Sequence, residues 1–209
     1  NPNIVVLGSS RGMQARKEFF NDSFLNFSGA FRGVADLEDY AIFIKKQEIN
    51  PELTIIFMDP WWFNPNSSVG AGPRHGDYPK YVTLDHFFNS VKLLKQGNWI
   101  KKSLNTNSLG IYSILREDGY ASDGSYHYVQ SAKGTDPNAD IEFQSTLNRV
   151  KKEIYPFEWS NFSDQILISR GCAAVKEINK YSAHTLIIAP PFAKTVWKEM
   201  KDSNNYGYI

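Results

Sequence analysis

The sequence predicts an α/β fold, three layers deep, built on a mostly parallel sheet. Three apolar runs, Ile4–Leu7, Leu53–Met58 and Thr185–Ala189, are too short for helices and show no alternation, the pattern of strands covered on both faces. Amphipathic helical repeats separate them, and strands alternating with helices read as parallel crossover units. Each run also stops abruptly in polar or proline-bearing sequence, and the carboxyl ends of parallel strands are where such folds place ligands.

In chain order, Ile4-Val5-Val6-Leu7 ends at Gly8-Ser9-Ser10-Arg11, a tight turn predicted to open a short helix over Met13–Phe20. Ser9 and Ser10 there fit either a helix cap or a catalytic turn. Leu25–Phe27 reads as a brief second strand, followed by a loop from Ser28 to Gly33 bracketed by Gly29 and Gly33. Asp36 precedes Leu37, Tyr40, Ala41 and Ile44, which predicts a helix to about Ile49, closed by Pro51. The strand Leu53–Met58 then terminates in Asp59-Pro60-Trp61-Trp62-Phe63-Asn64. Asp59 and Asn64 suit a site or an Asx turn and loop cap equally.

Residues 67–78 are rich in Gly, Pro and Ser and predict a loop, with His75 and Asp77 too isolated for a metal site. Tyr81–Gln96, containing His86, has helical spacing. Ile111–Val129 alternates around two Asp-Gly pairs and predicts a β-hairpin insertion, about 110–130, whose Arg116, Asp123, Ser125 and His127 are candidate substrate contacts. Helices are expected over Ala139–Ile154 and Phe162–Tyr181, the latter carrying the single cysteine, Cys172, as a packing residue. After Thr185–Ala189 and Pro190-Pro191-Phe192, a last helix starts at Ala193.

Composition narrows the function classes. With 209 residues, 42% apolar and 22% charged, the chain is expected to form a single globular domain. A formal charge of +1 gives no field for nucleic acid, which is set aside as a partner. Neither Gly-x-Gly-x-x-Gly nor a phosphate-binding Gly-Lys-Ser/Thr loop occurs, and no cofactor or metal is expected. One cysteine rules out an intrachain disulfide. The aromatic content, 14% with five Trp, fits core packing and also sugar-facing platforms. No apolar run reaches membrane-span length. The start at Asn1-Pro2-Asn3, directly before the first strand, suggests a processed domain whose leader or anchor has been removed.

Val6-Leu7-Gly8-Ser9-Ser10-Arg11 after the first strand, Asn26 with its following Ser-Gly loop and Asp39-Tyr40, and Met58-Asp59-Pro60-Trp61-Trp62-Phe63-Asn64 at the third strand's end together resemble the SGNH/GDSL hydrolase superfamily. The nearer resemblance is to the divergent SGNH-like proteins of bacterial cell-surface polysaccharide modification, and it runs from Ile4 to about Trp197. It implies a flavodoxin-like layered fold. By position it makes Ser10 the nucleophile and Gly33 (or Gly29) and Asn64 the oxyanion donors, while Arg11, Asp59, Trp61, Trp62 and His127 are the candidate substrate-binding residues.

The implied activity is a carbohydrate O-acyl esterase or O-acyltransferase without a cofactor. It would lie outside the cytoplasm, in the periplasm or at the cell surface, with an acylated glycan substrate and membrane-anchored biosynthetic partners. Asn64 lies farther from its strand than the family's Gly-x-Asn-Asp pattern, and no Asp-x-x-His occurs up to Ile209. Three expectations follow: the acid/base segment lies beyond the sequence, the domain is a non-catalytic glycan-binding or assembly module using the Trp61/Trp62 region, or a base such as His127 is borrowed from elsewhere in the chain.

Overall fold

A computed structural model describes residues 2–67, 118–136 and 139–209. The chain divides into two compact units, Asn1–Pro73 with Asp140–Ile209, and Arg74–Ala139.

The first unit is built on a four-stranded, wholly parallel sheet. Its strands are β1 (Ile4–Gly8), β2 (Phe24–Asn26), β3 (Leu53–Phe57) and β6 (His184–Ile188), in the order β2-β1-β3-β6. Register runs Val6 opposite Asn26 and Ile55, and Ile55 opposite Leu186. Helices flank the sheet in a three-layer α/β arrangement, as the apolar runs predict. Order reverses between β1 and β3, because the chain moves outward to β2 and then crosses back, so a crevice opens at the carboxyl ends of these two strands.

One face carries the larger core. Helix α1 (Val34–Gln47) presents Val34, Leu37, Tyr40, Ala41 and Ile44, one stripe at helical spacing, to Val5, Leu7 and Ile56 of the sheet. Helix α4 (Gln165–Ile178) adds Ala174 and Ile178, while α3 (Gln144–Lys151) and α5 (Lys194–Ser203) add Val150, Val196 and Met200. Gly171 in α4 lies against the Phe63 ring, 3.2 Å from where a Cβ would stand. Cys172 falls off the buried Gly171/Ala174/Ile178 stripe and is exposed, which corrects its reading as a packing residue. Asp164 caps α4 through the N–H groups of Ile166 and Leu167.

The opposite face carries Val6, Phe24 and Ile55, packed against Ala15 and Phe20. The helix expected over Met13–Phe20 is absent. Two 3-10 turns, Ser10–Gly12 and Lys17–Phe19, stand in its place. The buried Asn26 amide donates to the carbonyls of Gly12 (3.0 Å) and Ala15 (2.9 Å), which a continuing helix would need for its own ladder. Helix α3 likewise begins later than expected, after a 3-10 turn at Ile141–Phe143 in which Glu142 and Phe143 have positive φ. Strand β6 has half-exposed Leu186 and Ile187.

The second unit, by itself, contains the antiparallel pair β4 (Gly119–Tyr120) and β5 (Tyr126–His127), followed by the short helix α2 (Val129–Ala132). This is the centre of the expected hairpin. Residues 111–117, including Arg116, lie outside the described residues, as do His75, Asp77 and the helix expected over Tyr81–Gln96.

Candidate functional site

The turn after β1 requires glycine at position 8. Its φ is +138°, and a Cβ there would lie 2.5 Å from the Phe57 carbonyl oxygen on β3. The Gly8 carbonyl in turn accepts the Gly29 N–H at 2.7 Å, locking the loop after β2 beside the turn. Ser9 then caps the 3-10 turn, its Oγ accepting the Arg11 N–H at 3.3 Å, so the capping role belongs to Ser9. Ser10 is the first residue of that turn, exposed, and its hydroxyl makes no hydrogen bond among the described residues. Opening N–H groups of such a turn have no partner within it.

A cavity of about 450 Å³ opens over this turn, within the size range of small-molecule sites. Ser9, Ser10 and Arg11 form one side of it, and Gly29, Phe31 and Arg32 another. Trp61 and Phe157 supply aromatic wall, and Thr146 and Arg149 reach it from α3. Pro191 and Phe192, past the end of β6, complete the lining with Val196 of α5. Among the described residues, no Asp or Glu lines it.

Arg11 and Asp59 form a buried pair behind the turn. Arg11 Nε lies 3.1 Å from Asp59 Oδ1, and Nη1 donates to the Pro190 carbonyl at 2.6 Å. The guanidinium carbon sits 4.7 Å from the Trp61 ring centroid and 4.4 Å from that of Phe192, a cation sandwiched between aromatic faces. The pair therefore ties together the ends of β1, β3 and β6. Burial raises the fully enclosed Asp59 carboxyl to about 6, against the opposing pull of the Arg11 charge and a hydrogen bond from Ser9. Burial also lowers Arg11, with Asp59 opposing.

No family model, curated protein or solved structure matches this chain. The site is therefore read from its own geometry.

The expected residues divide. Ser10, Arg11 and Trp61 line the cavity, with Asp59 holding Arg11 from behind. Trp62 does not line it; the ring is 2% exposed and belongs to the main core. Gly33 caps α1, and its N–H donates to Asp36 Oδ2 at 3.2 Å, which engages the group expected to hold an oxyanion. Gly29 lines the cavity, but its N–H is bonded to Gly8.

Asn64 is 1% exposed and donates its amide to the Glu158 carbonyl, at 2.5 Å, while its Oδ1 accepts the Asn66 N–H at 2.9 Å. It ties the loop after β3 to residue 158 and does not line the cavity, a structural role in place of the expected oxyanion donation.

Histidines are equally divided. His184 begins β6, at the amino edge of the sheet. His127 belongs to the second unit, where its Nε2 lies 3.2 Å from Ser125 Oγ, itself donating to Asp123 Oδ1 at 2.7 Å. Among the described residues of the first unit, no histidine stands at the carboxyl edge. No group of three His, Cys, Asp or Glu suited to a metal occurs among the described residues, and no helix among them is long and apolar enough to cross a membrane.

Sequence reasoning missed Phe31, Arg32, Thr146, Arg149, Phe157 and Phe192. Only Phe192, following a strand end, carried a positional signal; Thr146 and Arg149 read simply as the polar side of a helix.

Proposed function

We propose that this cavity is the acyl-transfer site of an SGNH-like O-acyl esterase or O-acyltransferase acting on carbohydrate outside the cytoplasm, with Ser10 as nucleophile. The observation that carries the reading is Ser10 itself: an exposed, unengaged hydroxyl on the turn after the central strand, facing an aromatic-walled cavity at the strand-order reversal. In this reading Ser10 Oγ forms a bond to the ester carbonyl carbon while a base takes its proton. The sugar oxygen then leaves with that proton, and water or a second sugar hydroxyl releases the acyl group.

The Ser10 backbone N–H, which has no hydrogen bond among the described residues, fits the oxyanion better than Gly33 or Asn64, which are already bonded. The base has to come from outside the first unit's described carboxyl edge. Assay of acetylated sugars and 4-nitrophenyl acetate tests the reading: Ser10→Ala is expected to lower turnover by about four orders of magnitude. Equal rates in wild type and Ser10→Ala overturn it.

The engaged Gly33 and Asn64 groups, with no histidine beside Ser10 among the described residues, favour a second reading, a non-catalytic glycan-binding module. Trp61 would then provide the sugar-facing wall, without Trp62. Glycan binding that survives Ser10→Ala, without turnover, and collapses in Trp61→Ala selects this reading.

A further inference from the structure

We infer that the cavity selects an anionic ligand, one bearing a carboxylate or a phosphate group, held by Arg149 and Arg32. Where catalysis is concerned the inference rests on the acyl-transfer reading and names its substrate class; where only binding is concerned it stands on the cavity alone.

Among the described residues, three arginines line the cavity and no carboxylate does. Only Arg11 has a buried counter-ion, Asp59. Arg32 is exposed, and its guanidinium has no ion pair among the described residues; its backbone N–H alone is engaged, with Asp36. Arg149 is half-buried, and its Nη2 donates to Thr146 Oγ1 at 3.2 Å. Its Nε is buried and has no hydrogen-bond partner among the described residues.

The carboxylate nearest in influence to Arg149 is Asp140, which it helps to keep ionised. Asp140, however, is turned to its own helix, accepting from Ser145 N (2.6 Å), Thr146 N (2.9 Å) and Thr146 Oγ1 (2.6 Å). The Arg149 guanidinium carbon lies 5.5 Å from the Phe157 ring centroid, which fixes its plane beside an apolar wall. A planar guanidinium so placed, with Nη donors left over from its one bond to Thr146, is the group that binds carboxylate or phosphate by paired hydrogen bonds. Two cations beside one concavity, neither in an ion pair among the described residues, repel one another until an anion enters.

Calorimetric titration of the full chain with glucuronic acid, glucose 6-phosphate and glucose tests this. The acids are expected to bind at least tenfold tighter than glucose, and whichever acid binds more tightly identifies carboxylate or phosphate as the source. Arg149→Gln and Arg32→Gln are each expected to weaken that binding by about tenfold or more. Arg149→Lys keeps the charge, and is expected to retain more affinity than Arg149→Gln while losing the paired geometry. Arg32, exposed and with no side-chain hydrogen bond among the described residues, gives a variant that leaves the fold intact.

Glucose binding as tightly as either acid, no binding of either acid at tens of millimolar, or unchanged affinity in both glutamine variants overturns the inference. Binding of acids with no turnover removes only the acyl-transfer reading. Turnover of neutral acetylated sugars without preference for acidic ones removes only this inference.

Discussion

Replacing Gly8 by alanine tests whether the turn carrying Ser10 is held in the conformation described. The residue has φ +138°, and the added Cβ meets the Phe57 carbonyl oxygen at 2.5 Å and Phe57 Cβ at 2.7 Å. Both neighbours belong to the adjoining strand β3, paired in register with β1, so neither yields without opening the sheet. An unfavourable backbone conformation costs about 1–3 kcal/mol and overpacking a further 1–3, so the variant is expected to lose about 4 kcal/mol. That is a large share of the 5–15 kcal/mol typical of a folded chain.

With a urea dependence of about 2 kcal/mol per molar, the midpoint falls by about 2 M when followed by far-ultraviolet circular dichroism. Gly171→Ala is the internal comparison. There alanine gains about 1 kcal/mol of helix propensity against a 3.2 Å contact with the edge of the Phe63 ring, and the midpoint is expected within about 0.5 M of wild type. A Gly8→Ala shift as small as that of Gly171→Ala would refute the turn geometry.

Other expectations concern the buried charges and the displaced oxyanion candidate. Asp59 holds its proton to about 6 in the folded protein against an ordinary 3.8. Its contribution to stability is therefore fully present below about pH 4 and is lost as pH rises through 6, a change of about 3 kcal/mol. Urea unfolding at intervals from pH 3.5 to 7 is expected to show this decline in the difference between wild type and Asp59→Asn; a pH-independent difference contradicts the burial of Asp59. Asn64→Ala removes the hydrogen bonds to the Glu158 carbonyl and from the Asn66 N–H and is expected to cost about 2–4 kcal/mol in urea unfolding. Turnover per folded molecule should stay within about threefold of wild type, whereas the hundredfold or greater loss of a true oxyanion donor would return Asn64 to the site.

The layered fold was legible because β1, β3 and β6 are unbroken apolar runs and α1, α4 and α5 repeat at helical spacing, signals that depend only on neighbours in sequence. Ser10, Arg11 and Asp59 were legible as strand ends. The chain from 10 to 20 was not, because Asn26, from the next strand, occupies the carbonyls of Gly12 and Ala15 that a helix needs. Asn64 looked like a site residue for the same reason that Asp59 did, a polar group just past a strand. Its partner lies at Glu158, 94 residues away, where no local pattern points. Trp61 and Trp62 are adjacent on one 3-10 turn, yet one lines the cavity and the other fills the core. Arg149 joins the cavity through the packing of α3 beside α5, a tertiary event without a local signature.

Covalent labelling reads the proposed nucleophilicity of Ser10 without any need for the natural substrate. The full chain is incubated with a serine-directed fluorophosphonate, and intact mass is followed by peptide mapping. One stoichiometric adduct is expected, on Ser10, absent from Ser10→Ala and slowed when an acidic sugar fills the cavity. An unmodified wild-type chain, or an adduct that persists in Ser10→Ala, would contradict it.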